Sequence, residues 1–258
     1  MIFEKYRNMG ANLLTYEYIA REYREEFSSK DLDRLEATYK AKLKLLNSNY
    51  DIDFLRMNGK TFIRSITGAG KIHIILPKFI FGFAKFTDMS IFTGPITDIT
   101  ITFNRPCVIV NRVREDIKDD GYEYYSKYGG MFEYCAFLQS VKLENFYPMF
   151  CELDKFFFNC RNLKYVDFGN YCDTSEIKNM NEVFGLCRNL RSVVFPEGFS
   201  TKSVDRYYRT FYDCGELHTI KACGDFDLFT KKHILIKETI KFCRFDFIQN
   251  GKKTRING

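Results

Sequence analysis

A chain of 258 residues can bury a substantial core, and a net charge of +6 is mild, which sets it apart from the concentrated positive charge of dedicated nucleic-acid binders. Its aromatic content of 17% comes from 27 Phe and 17 Tyr without a Trp, and its nine cysteines include no Cys-x-x-Cys pair, so a zinc ribbon or thioredoxin-like site is not expected. No apolar run approaches the ~20 residues of a membrane span, and Met1-Ile2-Phe3-Glu4-Lys5-Tyr6-Arg7 begins no apolar signal segment, so an intracellular protein is expected, free or within a virion.

Residues 10–46 are expected to form a helical hairpin. Leu13, Tyr16, Ala20, Tyr23 and Phe27 share one stripe; Leu32, Leu35, Tyr39, Leu43 and Leu46 share the other. Ser28 and Asp31 resemble a capping box between them. Residues 1–59 are read as a helical cap over a sheet edge, ending in a polar linker from Asn47 to Gly59.

Beyond it, Thr61–Ile66 and Lys71–Leu76 alternate around Gly68-Ala69-Gly70 and predict a hairpin. The Gly-Ala-Gly-Lys turn fails as a phosphate loop, because Ser65 replaces the first Gly and Ile72 the magnesium-binding hydroxyl. Ile96–Ile101 and Cys107–Val110 add strands, so residues 60–129 are read as a degenerate repeat or a β capping region. It ends in the charged stretch Arg114–Gly121 and a tyrosine cluster at Tyr122, Tyr124, Tyr125 and Tyr128.

From Gly130 to Cys223 one phrase recurs four times: Phe-x-x-Cys-x-x-Leu-x-x-(Val/Ile)-x-apolar. Cys135, Cys160, Cys187 and Cys214 stand 25, 27 and 27 residues apart, as do Leu138, Leu163, Leu190 and Leu217. A period of this length marks a solenoid whose units fold only when stacked. The alternating end of each phrase predicts a short strand in a parallel ladder, and the Phe-x-x-Cys spacing suits one turn of helix. The cysteines and leucines are therefore expected to form inward structural ladders. Outward columns are then Ser140, Tyr165, Ser192, Thr219 and Lys142, Asp167, Val194, Lys221, a candidate contact face. Residues 224–258 read as closing strands with a basic tail, Lys252-Lys253-Thr254-Arg255.

Two stretches also carry a family resemblance. Asp167-Phe168-Gly169-Asn170 followed by Asp173–Leu190, and Val193–Phe199 followed by Thr210–Leu217, resemble the BspA-like class of leucine-rich repeats over residues 130–223. The coil Phe146-Tyr147-Pro148-Met149-Phe150-Cys151 departs from that pattern. The expected fold is thus α+β: a leucine-rich-repeat-type solenoid with a short parallel-strand ladder, preceded by the helical hairpin and a small β region. The resemblance implies a curved binding surface and carries no catalytic residues.

Three histidines, His73, His218 and His233, and the pair Cys214/His218 assemble no recognisable catalytic group, so no enzyme, metal or cofactor is expected. The expected function is protein–protein interaction through the solenoid face. The alternative is a structural subunit of a large assembly such as a phage or virus particle. A weaker alternative is binding of RNA or another polyanion through the basic tail.

Overall fold

The computed structural model describes residues 27–57, 59–85, 90–104, 107–111, 130–146, 148–149, 153–170, 172–175, 177–223, 226–227 and 243–257. The first half of the expected hairpin, the tyrosine cluster at 122–128 and the segment 228–242 with His233 lie outside these residues. One helix is described, α1 (Ser29–Leu45), started by Ser28, whose side chain accepts from the Asp31 backbone N–H while the Asp31 carboxylate returns the bond.

The chain then winds through two sheets. One has the order β1 (Tyr50–Met57), β2 (Lys60–Gly68), β4 (Ile80–Lys85), β7 (Cys107–Asn111) and β9 (Pro148–Met149), with β5 (Phe92–Thr93) also on β2. The other has eight strands in the order β14 (Lys252–Asn257), β13 (Arg244–Gln249), β12 (Thr219–Ala222), β11 (Ser192–Phe195), β10 (Tyr165–Asp167), β8 (Ser140–Glu144), β6 (Ile96–Thr102) and β3 (Gly70–Ile75). Neighbours in this sheet are parallel except β13 and β14. The chain is a parallel β-solenoid.

Several expectations are corrected here. The polar linker is strand β1: Tyr50, Ile52 and Phe54 alternate with Asp51 and Asp53, and Ile52 is buried. The hairpin around Gly68-Ala69-Gly70 is a corner, with β2 and β3 in different sheets and Gly70 at φ 65 redirecting the chain.

The larger correction concerns the leucine-rich-repeat-type fold with its helical hairpin. A leucine-rich repeat alternates strand and helix, yet the repeats here contain no helix among the described residues. The Phe-x-x-Cys segments are chains of tight turns. Every second N–H leaves its coil for the next one: Lys155 donates to the Asn181 carbonyl, Phe157 to Val183 and Asn159 to Gly185, at 2.8–2.9 Å. The N–H groups between them bond locally three residues back, Phe158 to Lys155 and Cys160 to Phe157. A helix would require all of these donors at i−4 within one coil. Left-handed residues recur in register to permit the turns, Lys155, Glu182 and Arg209 in one column and Tyr134, Asn159, Leu186 and Asp213 in the next.

The interior is one buried cluster built from stacked phenylalanines. Phe92, Phe132, Phe157, Phe184 and Phe211 stack ring on ring at 4.8–5.3 Å with interplanar angles of 5–15°. Phe168, Phe195 and Phe226 make a second column at 5.3 and 4.7 Å. Cys160, Cys187 and Cys214 are fully buried free thiols and Cys135 is half-buried. Each buried thiol donates to a Phe carbonyl of the preceding coil: Cys160 to Phe132 at 2.8 Å, Cys187 to Phe157 and Cys214 to Phe184 at 3.0 Å. Cys243 adds a further rung, bonding Phe211 at 2.7 Å. Leu138, Leu163, Leu190 and Leu217 are buried alongside. Coils approach closely at Gly169, φ 77, where a side chain would collide with the Leu143 carbonyl.

Candidate functional site

Because side chains alternate along a strand, the outer face of the eight-stranded sheet is fixed by register. Ser140 pairs with Tyr165, Tyr165 with Ser192, and Ser192 with Thr219; one step along, Lys142, Asp167, Val194 and Lys221 pair in the same order. All eight residues chosen from the sequence therefore lie in two adjacent rows. The rows run further than the repeats do. The first continues to Asp98 and Lys71 on one side and to Asp246 and Arg255 on the other; the second continues to Thr100, His73, Ile248 and Lys253.

The extended rows hold the face's polar networks. The Ser140 hydroxyl donates to Asp98, as does Thr97 at 2.8 Å. Burial pushes the Asp98 carboxyl up, but these two hydroxyls and the charges of Lys71 and Lys164 outweigh it and hold it below the usual range. From the second row His73 Nε2 lies 3.1 Å from the hydroxyl of Thr102, one step further along, which donates to its register partner Glu144 at 2.8 Å, and Glu144 also meets Lys142 Nζ at 2.8 Å. The Lys142 bond, then the Thr102 hydroxyl, lower the Glu144 pKa. At the far end Asp246 is bracketed by Lys253 at 2.7 Å and Arg255 at 2.8 Å, which depress it in that order.

Not every predicted residue is available for contact. Asp167 accepts the Gly169 N–H at 2.8 Å and so serves its own turn. Tyr165, 49% exposed, stands clear of the sheet, with Lys221 also exposed. Asp98, Thr102, Glu144 and Asp246 join the face although the repeat phrase does not single them out. Their signal was present for β6, where Ile96-Thr97-Asp98-Ile99 keeps the repeat's strand spacing, and for β13 in Arg244-Phe245-Asp246-Phe247.

No protein-family model, no curated protein and no solved structure matches the chain. With a single described helix and turns in place of repeat helices, the BspA-like resemblance does not hold. The face itself offers closely set hydroxyls, carboxylates and cations, suited to hydrogen bonding a macromolecular surface.

The remaining sequence candidates are dispersed. Cys214 is buried and burial pushes its thiol well up, whereas His218 is exposed, so the two do not form a nucleophile–base pair. No group of three His, Cys, Asp or Glu among the described residues could hold a metal ion. No helix among them is long and apolar enough to cross a membrane.

Proposed function

We propose that the chain is a non-enzymatic β-solenoid acting as a rigid part of a larger protein assembly, in the cell or in a virion, with partners held against the outer face of its eight-stranded sheet. One observation carries the reading: the outer face is already tied together near both of its ends, by Asp98–Ser140 and Thr102–Glu144 between β6 and β8 and by Asp246–Arg255 between β13 and β14. Side chains ordered before binding lose little further entropy when a partner arrives. The rings stacked beneath them make the face stiff. Transient recognition of a protein would use the same surface, and the lifetime of the complex separates the two.

Polyanion binding through the basic tail is disfavoured, since Lys253 and Arg255 both lie on Asp246. The test is capture of native partners by wild type and by the triple variant Tyr165→Ala/Lys142→Glu/Lys221→Glu, read by cross-linking mass spectrometry. Stoichiometric complexes that survive gel filtration and are lost in the variant are the expected result. Unchanged capture overturns the sheet face as the contact surface.

A further inference from the structure

The tight turns form a ridge along the solenoid, and its surface differs from that of the sheet. Arg209 lies between two tyrosines, its guanidinium carbon 4.8 Å from the ring centroids of both Tyr208 and Tyr212. Its Nε is buried without a hydrogen-bond partner, and among the described residues no carboxylate pairs with it. Its neighbour Arg188 shows the contrast, with Asp213 at 2.8 Å. Further along the ridge the exposed Arg161 donates only to Asn159, at 2.9 Å. One coil beyond Arg161, Tyr134, 42% exposed, meets Phe158 edge-on at 5.8 Å.

We infer that this ridge is a docking site for an acidic segment of a protein partner, with Arg209 as its anchor. A guanidinium held against two rings is pre-organised and partly desolvated, which strengthens its bidentate pairing with a carboxylate. Tyrosine and arginine are the side chains that dominate binding energy at protein interfaces. Sugars and nucleobases need open ring faces, yet Arg209 covers a face of Tyr208 and of Tyr212, and Lys155 stands 5.5 Å over Phe158. A phosphate backbone needs a row of free cations, whereas Lys155 and Arg188 already face Glu182 and Asp213. The occupant that fits is a polypeptide carrying a carboxylate beside apolar or aromatic residues.

The inference rests on the reading that the chain works by holding protein partners. Its test is separate, because that reading is probed by sheet-face variants and this one by ridge variants. A fluorescein-labelled deca-glutamate peptide is titrated into the full chain, with deca-glutamine and heparin as comparators. Saturable binding is expected to weaken about tenfold or more in Arg209→Gly and in Tyr208→Ser/Tyr212→Ser, and to change little in Lys221→Gln. Glycine suits the backbone here, since Arg209 sits at φ 54, so loss of binding with an unchanged melting curve isolates the side chain. Retained binding in Arg209→Gly, equal loss in Lys221→Gln, tighter capture of heparin, or no binding of deca-glutamate would each overturn the assignment. If native partners are still captured in that case, only the ridge falls.

Discussion

The hydroxyl of Tyr50 donates to the carbonyl of His73 at 2.9 Å, on the outer edge of β3. The same edge is covered at every second residue. Asn49 Nδ2 reaches the carbonyls of Ala69 and Lys71 at 2.6 Å, and the Tyr39 hydroxyl reaches that of Ile75 at 3.2 Å. Burial pushes both tyrosine hydroxyls up, so they remain protonated donors. An open parallel edge invites a further strand, and these side chains take its place. Removing three of the bonds in Asn49→Ala/Tyr50→Phe should cost about 2–4 kcal/mol in urea unfolding. Light scattering should show larger species than for wild type. Unchanged stability and size would show that the bonds contribute nothing to the edge.

Asp154 sets up a prediction in pH. The residue is 4% exposed and its Oδ2 has no partner. Burial pushes it from 3.8 up to about 6; Lys155 and an Asn179 hydrogen bond oppose that, while Glu182 and Glu133 reinforce it. The folded state therefore binds this proton more tightly than the unfolded chain. The group's contribution to stability is complete below pH 3.8 and is lost as pH rises through about 6. Asp154→Asn should be more stable than wild type by about 2–3 kcal/mol at pH 7.5 and level with it near pH 4. The difference between the two unfolding curves isolates this group from Asp98 and Glu144, whose lowered values act in the opposite sense. A pH-independent difference would remove Asp154 as the source.

Phe184 and Tyr165 separate core from surface. Phe184 is fully buried between Phe157 at 5.3 Å and Phe211 at 5.0 Å, so Phe184→Ala should cost about 3–5 kcal/mol. Tyr165→Ala, on the open face, should stay within about 1 kcal/mol. Comparable losses in denaturant unfolding would place Tyr165 in the fold and not on a contact surface.

The ladder thiols should resist alkylation. Burial raises the thiols of Cys160 and Cys214 well above the free range, while Cys135 is raised first by its bond with Cys160. Cys223 is exposed. Peptide-level mass spectrometry after iodoacetamide treatment of native protein should find Cys223 modified, with Cys160, Cys187 and Cys214 labelled only on unfolding. Prompt labelling of Cys187 would mean that the interior opens readily.

Much of the eight-stranded sheet was legible because its signals are local. Val166 and Phe168 alternate with Tyr165 and Asp167, and a period of 25–27 residues aligns the same pattern in the next coil. The two outward rows follow from that alone. The networks upon them were not legible, since Glu144 meets Thr102 only once β6 and β8 are paired. The corner at Gly70 is not legible as one, because two alternating runs about a glycine also describe a hairpin. Cys243 carries no repeat signal in the sequence, because it follows Cys214 by 29 residues, outside the repeat's spacing.

The turns were the hardest feature, and they yield the last prediction. A spacing of Phe-x-x-Cys serves a helical turn or a tight left-handed one equally well. What decides is φ at Glu182, Leu186 and Arg209, at 52°, 62° and 54°, and none of these residue types favours that region. Only Asn159 and Asp213 among the turn residues do. Leu186 bears a cost of about 1–2 kcal/mol for its conformation while its N–H holds the Tyr212 carbonyl at 2.8 Å. Leu186→Asn should therefore hold stability level or raise it by up to about 1 kcal/mol, and Leu186→Val should lower it, because a branched side chain tolerates positive φ least. On a helix the order would differ, since Leu is a far better helix former than Asn or Val and both changes would be unfavourable. Thermal unfolding of the two variants beside wild type distinguishes the architectures, and a clear loss in Leu186→Asn would argue against the turn geometry at that rung.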